Sequence, residues 1–103
     1  MRMLLKFALD TKAASEAIHT GVMADVNKGL FESTRPEAAY FGTENGLRTG
    51  YIFFDLDDPS RIPVLAEPLF QGTGANVQFI PVMNTDELLK GLAAATGNGA
   101  DQR

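Results

Sequence analysis

The sequence predicts one small α+β domain in which a strand and a helix are followed by two strands, a second helix and a fourth strand, with a further helix added at the end. Three observations carry that expectation. Apolar residues alternate in the first segment, they recur every four residues from Lys12 onward, and an Asn-Gly pair separates two apolar runs in the middle of the chain. Alternation is the period of a strand, a spacing of about four is that of a helix, and Asn-Gly tolerates the positive φ a tight hairpin needs.

Residues 3–9 read as the first strand, with Met3, Leu5, Phe7 and Leu9 on one face and Leu4, Lys6 and Ala8 on the other. Asp10-Thr11 then offers a side-chain oxygen to cap a helix. Ala14, Ile18, Val22, Val26 and Leu30 form a stripe, with Ala17 and Gly21 on the same face, so one amphipathic helix is expected from Lys12 to about residues 29–32. Ser33–Pro36 ends it, because the residue before a proline avoids the α region. Glu37–Thr43 and Leu47–Leu56 read as a hairpin around Glu44-Asn45-Gly46, and Tyr51-Ile52-Phe53-Phe54, apolar on both faces, suggests a central strand.

Asp58 is placed to cap the second main helix and Pro59 to occupy its first position, while Pro63 and Pro68 predict a helix that is short, kinked or partly broken. Residues 75–83 form the last strand, and Pro81 implies an edge position or a bulge near its end. Asn84 and Glu87 have capping-box spacing ahead of a helix whose apolar side is Leu88, Leu89 and Leu92. The domain is assigned to residues 1–95, with a flexible tail at 96–103.

A chain of 103 residues that is 45% hydrophobic and 21% charged has the composition of a globular domain with little core to spare. A second copy would be an ordinary way to bury more apolar surface. The net charge of −4, with basic residues scattered along the chain, counts against nucleic acid as a partner. With no cysteine, disulfides and thiolate chemistry are excluded, and a cytoplasmic location is the default expectation. No signal h-region and no membrane-length apolar run is visible, so no membrane partner is expected.

Two halves of this kind build a four-stranded antiparallel sheet with both main helices on one face, the ferredoxin-like βαββαβ arrangement. The opposite face would be bare. Leu4, Lys6, Ala8, Tyr40, Gly42, Thr49, Tyr51, Phe53, Asp55, Gln78, Ile80 and Val82 are assigned to it, a mixture of aromatic, aliphatic and polar groups suited to covering by a partner. The element order, the segment Gly50-Tyr51-Ile52-Phe53-Phe54-Asp55-Leu56-Asp57-Asp58-Pro59, and the closing Phe79-Ile80-Pro81-Val82-Met83 ahead of a short helix resemble the dimeric α+β barrel superfamily, in particular its small uncharacterised members, over roughly residues 1–94. The resemblance implies two sheets joined face to face into one barrel, often with a C-terminal extension gripping the partner. It brings no catalytic signature, since such folds serve monooxygenases without cofactors, isomerases, haem enzymes and proteins of no known activity.

His19 is the only histidine and the only side chain whose ordinary pKa lies near neutrality. At the border of the buried helix face it could act as a general base toward a pocket between helix and sheet. It could equally pack or meet solvent as a boundary residue. Lys6, Tyr40, Tyr51 and Gln78 could line a cavity on the bare sheet side, or serve only structure through hydrogen bonds and an intersubunit ion pair. Arg35 and Arg48 could clamp a carboxylate, against the alternative that both are solvated. Asp55, Asp57 and Asp58 lack the spacing of a calcium loop, and Asp58 has a sufficient role as a cap, so no metal site is expected. Gly72-Thr73-Gly74 precedes a strand rather than following one, so it reads as a turn and not a phosphate loop.

The function expected is that of a homodimer without a cofactor that binds a small apolar or aromatic molecule between sheet and helices. The alternatives are a cofactor-independent monooxygenase or isomerase using His19, and a regulatory or protein-interaction module.

Overall fold

The computed structural model describes residues 1–97 of the chain. The expected flexible tail at 96–103 therefore lies, from residue 98 on, outside the described residues. The elements are β1 (Arg2–Ala8), α1 (Thr11–Thr20), α2 (Val22–Thr34), β2 (Ala38–Glu44), β3 (Leu47–Asp55), a 3-10 turn (Pro59–Arg61), α3 (Ile62–Thr73), β4 (Asn76–Pro81) and α4 (Thr85–Ala95). The four strands pair antiparallel in the order β2-β3-β1-β4, which is compatible with a ferredoxin-like fold.

Alternation on the strands decides which residues meet the helices. Met3, Leu5 and Phe7 of β1 and Ile52 and Phe54 of β3 are buried, and they form one cluster with Ala14 of α1, Leu30 of α2 and Leu65 and Leu69 of α3. Each such leucine or phenylalanine removed from water contributes about 1.5–3 kcal/mol. Three helices thus cover one face of the sheet. The opposite face carries Leu4, Lys6, Tyr51 and Phe53, which are only partly buried.

The hairpin forms at Asn45-Gly46 as expected, but Glu44, expected in the turn, ends β2 paired to Leu47 across the two residues, whose φ angles of 53° and 76° are both positive. Gly50 on β3 is required by packing: a Cβ there would overlap the ring of Phe7, which lies directly against this stretch of backbone. The ring of Phe7 meets Phe41 edge to face at 6.5 Å, and Phe41 meets Phe31 of α2 in the same way at 6.1 Å. β4 lies at the sheet edge and closes on Pro81, where a residue without an N–H is tolerated.

Two helical expectations are corrected. The stripe from Ala14 to Leu30 is not one helix, because Gly21 adopts a left-handed φ of 85° and separates α1 from α2. Ala14 and Leu30 are buried, but Ile18 and Val22, on either side of the break, are 50% and 39% exposed. The segment after Asp58 divides in two, so that Pro59 opens a 3-10 turn and not the second main helix itself. Asp58 caps the 3-10 turn by accepting from the Ser60 N–H at 2.9 Å, and α3 then runs unbroken for 12 residues with Pro63 in its first turn and Pro68 inside it. Burial of Leu65, Ala66 and Leu69 on the sheet offsets the hydrogen bond that Pro68 cannot donate.

α4 begins with the full capping box, the Asn84 side chain accepting from the Glu87 N–H and the Glu87 carboxylate accepting from the Asn84 N–H, each at 2.9 Å. None of its residues is buried, and Leu88, Leu89 and Leu92 are exposed. Its start is tied to the sheet by charge, because Arg2 bonds both Glu37, at 2.8 Å, and Glu87. Among the described residues no helix is long and apolar enough to cross a membrane.

Candidate functional site

The strand register brings four of the sequence-selected residues into a single row. Tyr40 on β2 stands opposite Tyr51 on β3, Tyr51 opposite Lys6 on β1, and Lys6 opposite Gln78 on β4. All four lie on the sheet face that carries no helix, because each is displaced by one residue from the buried set. Tyr40 is 65% exposed, at the edge of the row.

A residue not selected from the sequence links the row. Glu44 receives the Tyr51 hydroxyl on Oε1 at 2.6 Å and the Lys6 ammonium on Oε2 at 2.5 Å, and Lys6 Nζ also lies 6.0 Å from the centre of the Tyr51 ring. The bond from Lys6, followed by that from Tyr51, holds the Glu44 carboxyl below its ordinary value, because both favour its charged form. The same carboxylate acts with desolvation to raise the Tyr51 phenol, since a donor bonded to a carboxylate gives up its proton reluctantly. With both oxygens occupied and its proton affinity lowered, Glu44 is a poor general base. Its arrangement is that of a clasp. Strand parity was the signal that could have found it: Glu44 shares a face with Tyr40 and Gly42 once Asn45-Gly46 is read as a two-residue turn.

Lys6, Gln78, Glu44, Asn45 and Asn76, together with Ala8 and Leu47, line a mixed polar and apolar depression of about 210 Å³ on this bare face. Tyr40 borders a separate cavity of about 380 Å³, with Phe53, Val82 and Met83 near the start of α4.

On the helix side lies a different kind of space. A half-open cavity of about 400 Å³ sits between α1, α2 and the sheet, walled by Phe7, Leu9, Ile18, Met23 and Phe41, with Asn27, Thr43 and Thr49 adding polar groups. Arg48 is the only charged residue in its wall. The Arg48 guanidinium is steadied by α1, donating to the Thr11 carbonyl at 3.4 Å and to the Ser15 hydroxyl at 3.2 Å. Gly50 is also in the wall, and the close seat it gives the Phe7 ring helps to shape the cavity floor.

His19 is exposed in the last turn of α1, directly after the cavity residue Ile18 but outside the cavity wall. The structure does not bring it to the Tyr40–Tyr51–Lys6–Gln78 row, which lies on the other side of the sheet. Arg35 is the left-handed cap of α2, with a φ of 46°, and borders a space of about 410 Å³ shared with Arg2, Glu37, Asp55 and Glu87. Asp58 is occupied as a cap and its carboxyl is lowered chiefly by the Ser60 N–H, and Asp57 pairs with Arg61 at 3.7 Å. Among the described residues, no three His, Asp or Glu side chains are grouped so as to hold a metal ion.

Compared with known protein families, the chain matches none, and no curated protein matches it significantly.

Proposed function

We propose that the chain is a small homodimeric binding protein that holds an apolar or aromatic molecule in the helix-to-sheet cavity of each subunit. The observation that carries this reading is the cavity of about 400 Å³ walled by Phe7, Leu9, Ile18, Met23 and Phe41. Its size falls within the range of about 300–1,000 Å³ typical of small-molecule sites, and a largely apolar wall with a few polar groups is how such sites orient a ligand. Two edge-to-face aromatic pairs around Phe41 offer ring surfaces against which a flat molecule would stack.

The dimer is supported by what one copy leaves uncovered. The sheet face bearing Leu4, Phe53 and Ile80 has no helix over it, and α4 presents Leu88, Leu89 and Leu92 to solvent. Joining two such faces, with α4 of each subunit laid on the other, would cover both at once, as in a dimeric α+β barrel. The antiparallel order β2-β3-β1-β4 with three helices on one face suits that assembly. In it the Lys6–Glu44–Tyr51 clasp would lie at the subunit interface and set its register by charge and hydrogen bonding.

The test is sedimentation of the purified protein across micromolar concentrations, together with calorimetric titration of an aromatic probe such as naphthalene-2-methanol. A dimer that binds the probe, and loses it on Ile18→Trp filling of the cavity, is expected. A monomer would remove the assembly, an unresponsive cavity variant would remove the binding site, and stoichiometric copurification of a different chain would favour an interaction module instead.

A further inference from the structure

We infer that the helix-to-sheet cavity selects small carboxylic acids, taking the ring or chain of the molecule between Phe7, Ile18, Met23 and Phe41 and its carboxylate at Arg48. This rests on the reading of the cavity as a binding site and adds the chemical class of its occupant.

Charge is the deciding feature. In a chain of net charge −4, a cavity wall that is otherwise uncharged contains one cation. Among the described residues Arg48 makes no ion pair, although Arg2, Lys6 and Arg61 each have a carboxylate partner. Its two contacts are to neutral oxygens, the carbonyl of Thr11 and the hydroxyl of Ser15, and these steady the guanidinium without neutralising it. A guanidinium offers five donors in a planar fork that fits the two oxygens of a carboxylate, so this one has capacity to spare.

The local fold explains why the charge stands there. Arg48 occupies the second position of β3, just after the Asn45-Gly46 turn, where the Leu9 N–H bonds its carbonyl at 2.8 Å. That bond fixes the backbone of Arg48 beside Leu9, itself in the cavity wall. The side chain then reaches over the first turns of α1. An acid entering from the open side would meet apolar walls inside and a cation at their border, a division that rewards an amphiphilic anion over a neutral molecule of equal shape. Arg48 is exposed, so the ion pair at the border keeps one side in water and adds a modest preference to the contact made by the apolar walls.

The experiment is calorimetric titration of the intact protein with cinnamate and with its uncharged analogue cinnamamide, repeated on Arg48→Gln and Arg48→Lys. Cinnamate is expected to bind the unmodified protein about two- to fivefold more tightly than cinnamamide, the range an exposed charge pair supplies. Arg48→Gln should weaken cinnamate more than cinnamamide and so erase the preference, and Arg48→Lys should restore part of it. Raising the salt concentration should weaken cinnamate binding alone. Equal binding of both probes, or a preference that survives Arg48→Gln, overturns the acid selectivity and leaves the cavity reading standing. Failure of both probes to bind overturns the cavity reading as well.

Discussion

The Tyr51 hydroxyl donates a 2.6 Å hydrogen bond to Glu44, seven residues back in the chain across the hairpin. Because the same carboxylate receives Lys6, three strands' worth of register converge on one acidic group: Glu44 ends β2, Tyr51 lies in β3 and Lys6 in β1. Titration is the direct probe of this clasp. In a Tyr40→Phe background, where Tyr51 is the only tyrosine left, phenol ionisation followed by ultraviolet absorbance should occur above the ordinary value of 10.0, and Glu44→Gln should bring it down. An ionisation that ignores Glu44→Gln would refute the link.

On the acid side the clasp has a definite sign. The Glu44 carboxyl is held below its ordinary 4.5, so its contribution to stability is present above that value and is lost as the pH falls through the lowered one. Melting temperatures recorded downward from pH 6 should therefore fall more gently in Glu44→Gln than in the unmodified chain. Parallel acid limbs in the two proteins would show that the ionised carboxylate adds nothing.

Gly50 leaves no room for a side chain against Phe7. Gly50→Ala should cost about 1–3 kcal/mol through overpacking, measured by urea unfolding, and pairing it with Phe7→Leu should recover part of that loss. Two independent, additive losses would mean that the ring and the glycine do not touch.

Gly21 and Gly29 are predicted to respond with opposite signs. Gly21 has a φ of 85°, so Gly21→Ala forces a Cβ into the left-handed region at a cost of about 1–2 kcal/mol. Gly29 lies inside α2 with open space around the position of a Cβ, so Gly29→Ala should stabilise by about 0.5–1 kcal/mol. If Gly21→Ala is neutral or stabilising, α1 and α2 join into one helix in solution.

Leu88 and Leu92 are exposed on a helix that buries none of its residues. If α4 lies on a second copy, Leu88→Asp and Leu92→Asp should each raise the dimer dissociation constant by about tenfold or more, the equivalent of one buried leucine. Sedimentation reads this directly. Unchanged association would place the interface elsewhere, with α4 a solvated appendage.

Much of this was legible from residue patterns. The alternation of Met3, Leu5 and Phe7 identifies the covered face, Asn45-Gly46 fixes the hairpin, and Asn84 with Glu87 announces α4. What escaped depended on relationships at a distance. The phase break at Gly21 was hidden because glycine is compatible with a helix as well as with a left-handed cap, and only packing decides between them. Glu44 looked like a turn residue until the two-residue loop placed it on the strand. The leucines of α4 declare an apolar side, yet periodicity carries no information on what meets it. Arg48 is exposed, in keeping with a solvated residue, but its contacts with Thr11 and Ser15 were hidden because they lie more than thirty residues away in the chain.

Arg2 serves two acids at once, Glu37 on the sheet side and Glu87 at the root of α4. All three side chains are open to water to some degree, so dissolved ions compete for them. The bearing of the terminal helix is thereby made ionic rather than greasy: in dilute buffer the guanidinium pins its base, and in strong brine that anchor slackens while the core beneath keeps its shape.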